Sequence, residues 1–425
     1  TETGWRTYLY DAVVIEPMII GHPHFGNLPL LNNYVHIKKI FHREVRVSAD
    51  IVHRFALTGT FFCQQNNVTS VCAHAALCMT LNNFIGDIVL PEDINRIVGV
   101  DHKNVKFGLP ANDPNCAYID DDKMMKVLSE YNLSFILLNF FSEPSWEYNE
   151  HIHRYIEGRY PVLLVFATEP NKPLHVVPVL GHTLNSDMWR PEAETGYLST
   201  GRSSLDKYKR ASSWIDHFII HDDNYGMYFC LLVDSLKRIT LPKYDQSFRA
   251  CYAIAVVPRG VTTPSWEAEW GSITVFEGVL DWFERNKVPS DIWTERLRSI
   301  PAYRVVRTFL VKKEDYANGL NDQDFEGNYF SDDDKVELTK DLPDMFWLSE
   351  ITLPDLYTAN KSKIIDVIYG AAHEPLTKND DVYGRWLQMR FPYMLVKNGK
   401  NPIRLSVKSH YPLLTFEKTQ NILEW

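Results

Sequence analysis

Over the first sixty residues, short apolar runs at 12–15 and 18–20 alternate with turn residues such as Gly21-His22-Pro23 and Gly26-Asn27, a pattern of short strands and loops. The pattern changes at 71–81, where Ala73, Ala75, Ala76, Leu77, Met79 and Leu81 are strong helix formers and Ser70 stands ahead of them as an N-cap. Two further helices are predicted over 92–98 and 121–131. The second opens on Asp120-Asp121-Asp122, acids that suit the positive end of a helix dipole better than they suit a metal site. From residue 133 the chain turns to strands, at 134–140, 162–168, 175–180, 217–221, 227–233 and 250–257. Each is rich in Val, Ile, Phe or Leu and bounded by Pro, Gly or Asn. Helices first and strands afterwards predict an α+β domain built on a largely antiparallel sheet.

Beyond Pro258-Arg259-Gly260 a second pattern begins, with helices predicted over 273–285 and 291–299 and strands over 303–311, 345–351, 363–369 and 403–407. Residues 318–334, acidic and turn-rich, read as an exposed loop. At 425 residues the chain is too long for one ordinary core. We therefore expect a first α+β domain over 1–260, with an N-terminal extension, and a second, smaller α+β region over 261–425. No repeat or low-complexity linker separates them, so the two are expected to pack together.

Composition narrows the classes. A net charge of −10, with no Lys- or Arg-rich stretch, argues against a nucleic-acid surface, which needs a concentrated positive field. No apolar run reaches the roughly 20 residues of a membrane span, and no secretory signal is visible, so no membrane partner is expected. The six cysteines (Cys63, Cys72, Cys78, Cys116, Cys230, Cys251) form no CxxC pair, which points to reduced thiols and a cytoplasmic home. His22 and His24, and His151 and His153, form H-x-H pairs, but without a Cys or carboxylate at ligand spacing they read as surface or packing residues. Those pairs being discounted, no metal is expected, and because neither G-x-x-x-x-G-K-[ST] nor G-x-G-x-x-G occurs, no nucleotide cofactor is expected.

The informative stretch runs from Cys63 to Leu77, where an amide-rich loop enters a helix whose first turn holds Cys72. A thiol there faces the positive end of the helix dipole and unpaired backbone N–H groups, which stabilise a thiolate. An upstream amide side chain can donate to a developing oxyanion. A thiolate needs a base from elsewhere in the fold. His175 stands at the mouth of an apolar strand that ends in Gly181-His182, with His182 and His221 as substitutes. A later strand, Phe218-Ile219-Ile220-His221, ends in Asp222-Asp223, and a carboxylate there would orient the imidazole through Nδ1–H. By itself that acidic segment is also an ordinary turn. His74, about 200° round the helix from Cys72, reads as packing.

Cysteine, histidine and aspartate in that order, with glutamine upstream of the cysteine, resemble the papain-like fold and, more narrowly, the C39-like peptidases. The resemblance covers residues 60–235. It implies a helix bearing the nucleophile packed on an antiparallel sheet, with Cys72 as nucleophile, His175 as base, Asp222 as orienting acid and Gln65 as oxyanion donor. Ala73 replaces the family's glycine after the cysteine. Gln65 lies one residue further out than usual, leaving Asn66 at the nominal position and Gln64 as another rival. Asp223 competes with Asp222, and the polar stretch 185–213 intervenes between base and acid, long enough to cover a cleft or to be a loose insertion. The implied activity is a cysteine peptidase acting on a peptide or protein substrate, with the C-terminal region selecting substrate or docking a protein partner. The alternatives are a transglutaminase- or deamidase-type acyl transferase and a non-catalytic papain-like binding module.

Overall fold

The computed structural model describes residues 13–15, 32–48, 51–64, 72–86, 88–100, 119–142, 147–167, 174–184, 208–236, 249–289, 291–299, 304–324, 327–374, 382–406 and 410–416. Ser70, His22, His24, Cys116 and the stretch 185–207 lie outside them. The architecture is mixed α+β with antiparallel sheets. The strands are β1 (Val13–Ile15), β2 (Asn32–Val35), β3 (Lys39–Ser48), β4 (Ile51–Phe62), β5 (Leu133–Asn139), β6 (Val162–Ala167), β7 (His175–Leu184), β8 (Tyr208–Arg210), β9 (His217–Asp222), β10 (Gly226–Leu232) and β11 (Arg249–Pro258). They continue with β12 (Arg304–Lys312), β13 (Met345–Thr352), β14 (Ile365–Gly370), β15 (Trp386–Phe391), β16 (Met394–Lys397) and β17 (Ile403–Arg404). The helices are α1 (Cys72–Phe84), α2 (Pro91–Val98), α3 (Asp121–Glu130), α4 (Tyr148–Glu157), α5 (Ser265–Arg285), α6 (Ile292–Ser299), α7 (Lys313–Gly319) and α8 (Asp332–Thr339).

Sheet I has the order β10-β9-β7-β6-β11-β5, with β2 added against the far end of β7. Sheet II has the order β17-β16-β15-β14-β13-β12-β8, antiparallel except where β8 joins β12 in parallel. Strand alternation sorts the side chains into layers. On β6, Leu163 and Val165 face α1, α2 and α3, whereas Val162, Leu164 and Phe166 join the core shared with α4 and α5. On β12, Val306 and Leu310 point into that same shared core, while Phe309 and Val311 meet α7 and α8 on the outer side. The molecule is thus five layers deep, helices outside each sheet and α4 and α5 between them. The expected boundary at residue 260 falls between β11 and α5, but β8 crosses it to edge sheet II, and one apolar cluster runs from Val35 to Val396.

Several elements depart from the sequence pattern. The acidic segment 318–334 is not one exposed loop: α7 enters it, and Ser331 caps α8 by accepting from Asp334 N at 3.2 Å. α4 carries no clean apolar stripe, because Asn149, His151, His153, Arg154 and Glu157 are all buried. Its Arg154 instead meets Glu269 of α5 through two bonds of 2.8 and 2.6 Å. β3 and β4 form a long ribbon with β1 on one edge, where the sequence suggested only short strands. Asp120 caps α3, accepting from Lys123 N at 2.9 Å. Among the described residues no helix is long and apolar enough to cross a membrane.

Candidate active site

Cys72 is the first residue of α1 and half-buried, and every residue from Ala73 to Asn83 behind it is buried. The small side chains Ala73, Ala75 and Ala76 let the helix lie close on β7, with β4, β6 and β9 also against it. Asn83 ties the helix to β4, its Nδ2 donating to Phe61 O at 3.0 Å and Met79 O at 2.8 Å. β4 then carries Cys63 back towards the start of α1, where its thiol donates to Ala75 O at 3.6 Å. All five described cysteines are free thiols. His74 turns away from the thiol and pairs with Asn95 Oδ1 at 2.7 Å.

His175 opens β7 opposite Phe166, whose ring it meets edge-on at 5.4 Å. β9 flanks β7 on its other side and ends at Asp222. The His175 ring is only 11% exposed, and its Nε2 lies 3.0 Å from Asp222 Oδ2. Cys72 lies close enough to raise the basicity of this ring. Since Nε2 meets the acid, Nδ1 is the nitrogen left for the thiol, the reverse of the orientation expected from the sequence. Burial alone would lower the basicity of this imidazole, but its hydrogen bond to Asp222, the proximity of Cys72 and the charges of both outweigh burial and raise its pKa to about 10.

Asp222 is itself held in place. Its Oδ1 accepts from the backbone N–H of Asn224 at 2.8 Å and Tyr225 at 3.1 Å, so the turn that follows β9 positions the acid. Burial would raise its pKa, but the hydrogen bond and charge of His175, together with those two N–H groups, hold it below the usual carboxylate range. Asp223 lies further from the ring, with Oδ1 3.6 Å from Nε2, and burial pushes its carboxyl up to about 6. The two neighbours therefore differ: Asp222 is an ionised hydrogen-bond partner, and Asp223 a second carboxyl that titrates near neutrality. The sequence did not separate them.

The substitutes for His175 stand elsewhere. His221 is fully enclosed, meets Thr60 Oγ1 at 3.0 Å, and is held by burial at a pKa of about 3. His182 sits near the other end of β7 in a separate cluster with His36 and Glu157. Gln65 and Asn66 lie outside the described residues, and Gln64 is exposed just beyond β4. Among the described residues, two groups bring three metal-type donors within 4.8 Å of one another: His175, Asp222 and Asp223, and His36, Glu157 and His182. Chemically, the first arrangement supplies a thiol at a helix start, a base that can take its proton, and an acid that fixes the base. Compared with protein families, curated proteins and solved structures, the chain matches none of them.

Proposed function

We propose that this protein is a cysteine-dependent hydrolase of the papain-like kind, a peptidase in which Cys72, His175 and Asp222 act together. The observation that carries this reading is a single imidazole bonded to a buried carboxylate and close enough to the first-turn thiol of α1 to be influenced by it. The order of elements supports it too: a nucleophile-bearing helix packed on an antiparallel sheet, a base opening one strand and an acid closing the adjacent one. In the proposed reaction the Cys72 proton rests on the His175 imidazole, and the sulfur attacks the carbonyl carbon of an amide. The C–N bond then breaks, the imidazolium gives that proton to the leaving amine, and an acyl-enzyme remains. Water attacks the thioester with His175 again as base, releasing the acid and restoring the thiol. Backbone N–H groups at the start of α1, with an amide from the 64–66 segment, would receive the oxyanion.

The test is the rate of alkylation of each cysteine by iodoacetamide at neutral pH, followed by peptide mass spectrometry, together with cleavage of a mixed peptide library. Cys72 should react fastest, and His175→Ala should slow it by about tenfold or more while abolishing cleavage. A Cys72 that reacts no faster than Cys230, or is indifferent to His175→Ala, would overturn the proposal.

A further inference from the structure

We propose that His36, His182 and Glu157 form a binding site for one divalent transition-metal ion of the zinc class, with His153 and Arg307 orienting the glutamate. Their donor atoms converge: His36 Nε2 is 3.0 Å from His182 Nε2, which is 2.6 Å from Glu157 Oε1, and His36 Nε2 is 3.9 Å from that same oxygen. Ligands bound tetrahedrally at about 2.0–2.1 Å are separated by roughly 3.3 Å, so the triangle has the size of one face of such a site.

Hydrogen-bond accounting at His182 points the same way. Its Nδ1 lies 3.0 Å from the carbonyl oxygen of Thr183, which can only accept, so Nδ1 carries the proton. Its Nε2 faces Glu157 Oε1 at 2.6 Å, with His36 Nε2 beside it. A metal-ligating histidine commonly donates its other N–H to a backbone carbonyl in this way, leaving Nε2 as the ligand atom. The glutamate is aimed from behind: Arg307 Nε donates to Oε2 at 2.6 Å, and His153 Nε2 lies 3.2 Å from Oε1. Arg307 is in turn met by Glu350 at 2.6 Å.

The backbone is arranged to bring the ligands together. A Cβ on Gly181 would lie 1.9 Å from Tyr34 O, so only glycine lets β2 cross this closely, and the N–H groups of His36 and Ile37 both bond to Leu180 O at 3.0 Å. His36 also lines a solvent-open cleft of about 280 Å³ with Val35, Asn83, Phe84 and Arg159, so one side of the triangle borders solvent. With imidazole and carboxylate donors and no thiolate, the set suits zinc or ferrous iron rather than cuprous ion. The site lies seven residues along β7 from His175, about 23 Å at strand rise, and joins α4, β2, β7 and, through Arg307, β12. It is independent of the thiol chemistry and would clamp sheet I to sheet II.

The experiment is metal stoichiometry on the full chain, dialysed against chelator and titrated with Zn²⁺ in competition with a chromophoric chelator, followed by X-ray absorption on the zinc-loaded wild type. One equivalent is expected, with nitrogen and oxygen neighbours only. His36→Gln and His182→Gln should weaken it by at least about tenfold, and Cys72→Ala should retain it. Because a substitution in this buried cluster can also impair folding, circular dichroism accompanies the variants, and the wild-type absorption spectrum decides without them. Absence of a retained equivalent, sulfur among the neighbours, or loss of binding in Cys72→Ala would each overturn the site. None of these outcomes bears on whether Cys72 is alkylated fast, so the two proposals fail separately.

Discussion

Sheet I and sheet II both bury charge, and they do so to opposite ends. Through sheet II runs an alternating ladder, Glu157–Arg307–Glu350–Lys363–Asp366–Arg390, every member enclosed and each cation touching a carboxylate. Three acids face three cations, so the formal charges of the ladder balance. At the edge of sheet I, His175 and Asp222 form a pair from the same kinds of group, but the ring keeps a sliver of exposure and its second nitrogen faces a thiol. Similar chemistry thus yields a brace in one place and a poised proton acceptor in the other. What separates them is that each charge of the ladder faces an opposite charge inside the fold, whereas the His175 ring also lies beside a reactive thiol.

That contrast can be broken. The largest effect is expected from Arg307→Met, which leaves Glu157 and Glu350 buried without their cation and should cost about 3–5 kcal/mol in urea unfolding. A loss under about 1 kcal/mol would mean the ladder is not a brace. Next comes Asp222→Asn, which keeps the turn but removes the charge. Alkylation of Cys72 should slow by roughly 10²-fold with the unfolding midpoint nearly unchanged. An equal loss of stability and rate would make Asp222 structural in the manner of the ladder.

A smaller effect is the pH dependence carried by His175. Its folded pKa, about 10, lies above an unfolded value of about 6.5. The stability it contributes is therefore complete below about pH 6.5 and lost as pH rises through about 10. The difference in unfolding free energy between wild type and His175→Gln should shrink across that window, and a difference independent of pH contradicts the assignment. The smallest effects test whether the halves fold as one body. Asp120→Ala removes the cap of α3 beside sheet I, and Ser331→Ala the cap of α8 beside sheet II, each costing about 1 kcal/mol. Both should move a single shared transition, whereas two separable transitions would show that the common core does not couple the sheets.

How much of this was legible in the sequence depended on whether the signal was local. Most strands of sheet I, and β12, β13 and β14 of sheet II, announced themselves as apolar runs, and α1 through its alanines and leucines, whereas β2, β8, β15 and β16 were not predicted. α4 did not, because it is buried by ion pairs and histidines rather than by an apolar stripe. Cys72, His175 and Asp222 could be picked out because each stands at the end of an element, where a side chain is presented rather than packed. The choice between Asp222 and Asp223 turned on the twist of one turn, which residue types alone do not fix. The His36–His182 contact joins residues 146 apart in the chain, so no motif spacing signals it. Even the i,i+4 pair His153–Glu157, which is visible in the sequence, meant little without the helix that aligns it.

The crossing of β8 has a consequence for biosynthesis. Tyr208–Arg210 leaves the ribosome well before Arg304, yet its only ladder among the described strands is with β12. Until the later segment arrives, the side of α4 that packs on β12 is uncovered and the early strand has no template. A nascent chain halted near residue 260 would therefore expose adhesive surface and invite chaperone capture, and completion of synthesis should act as the step that commits the whole protein to its native state.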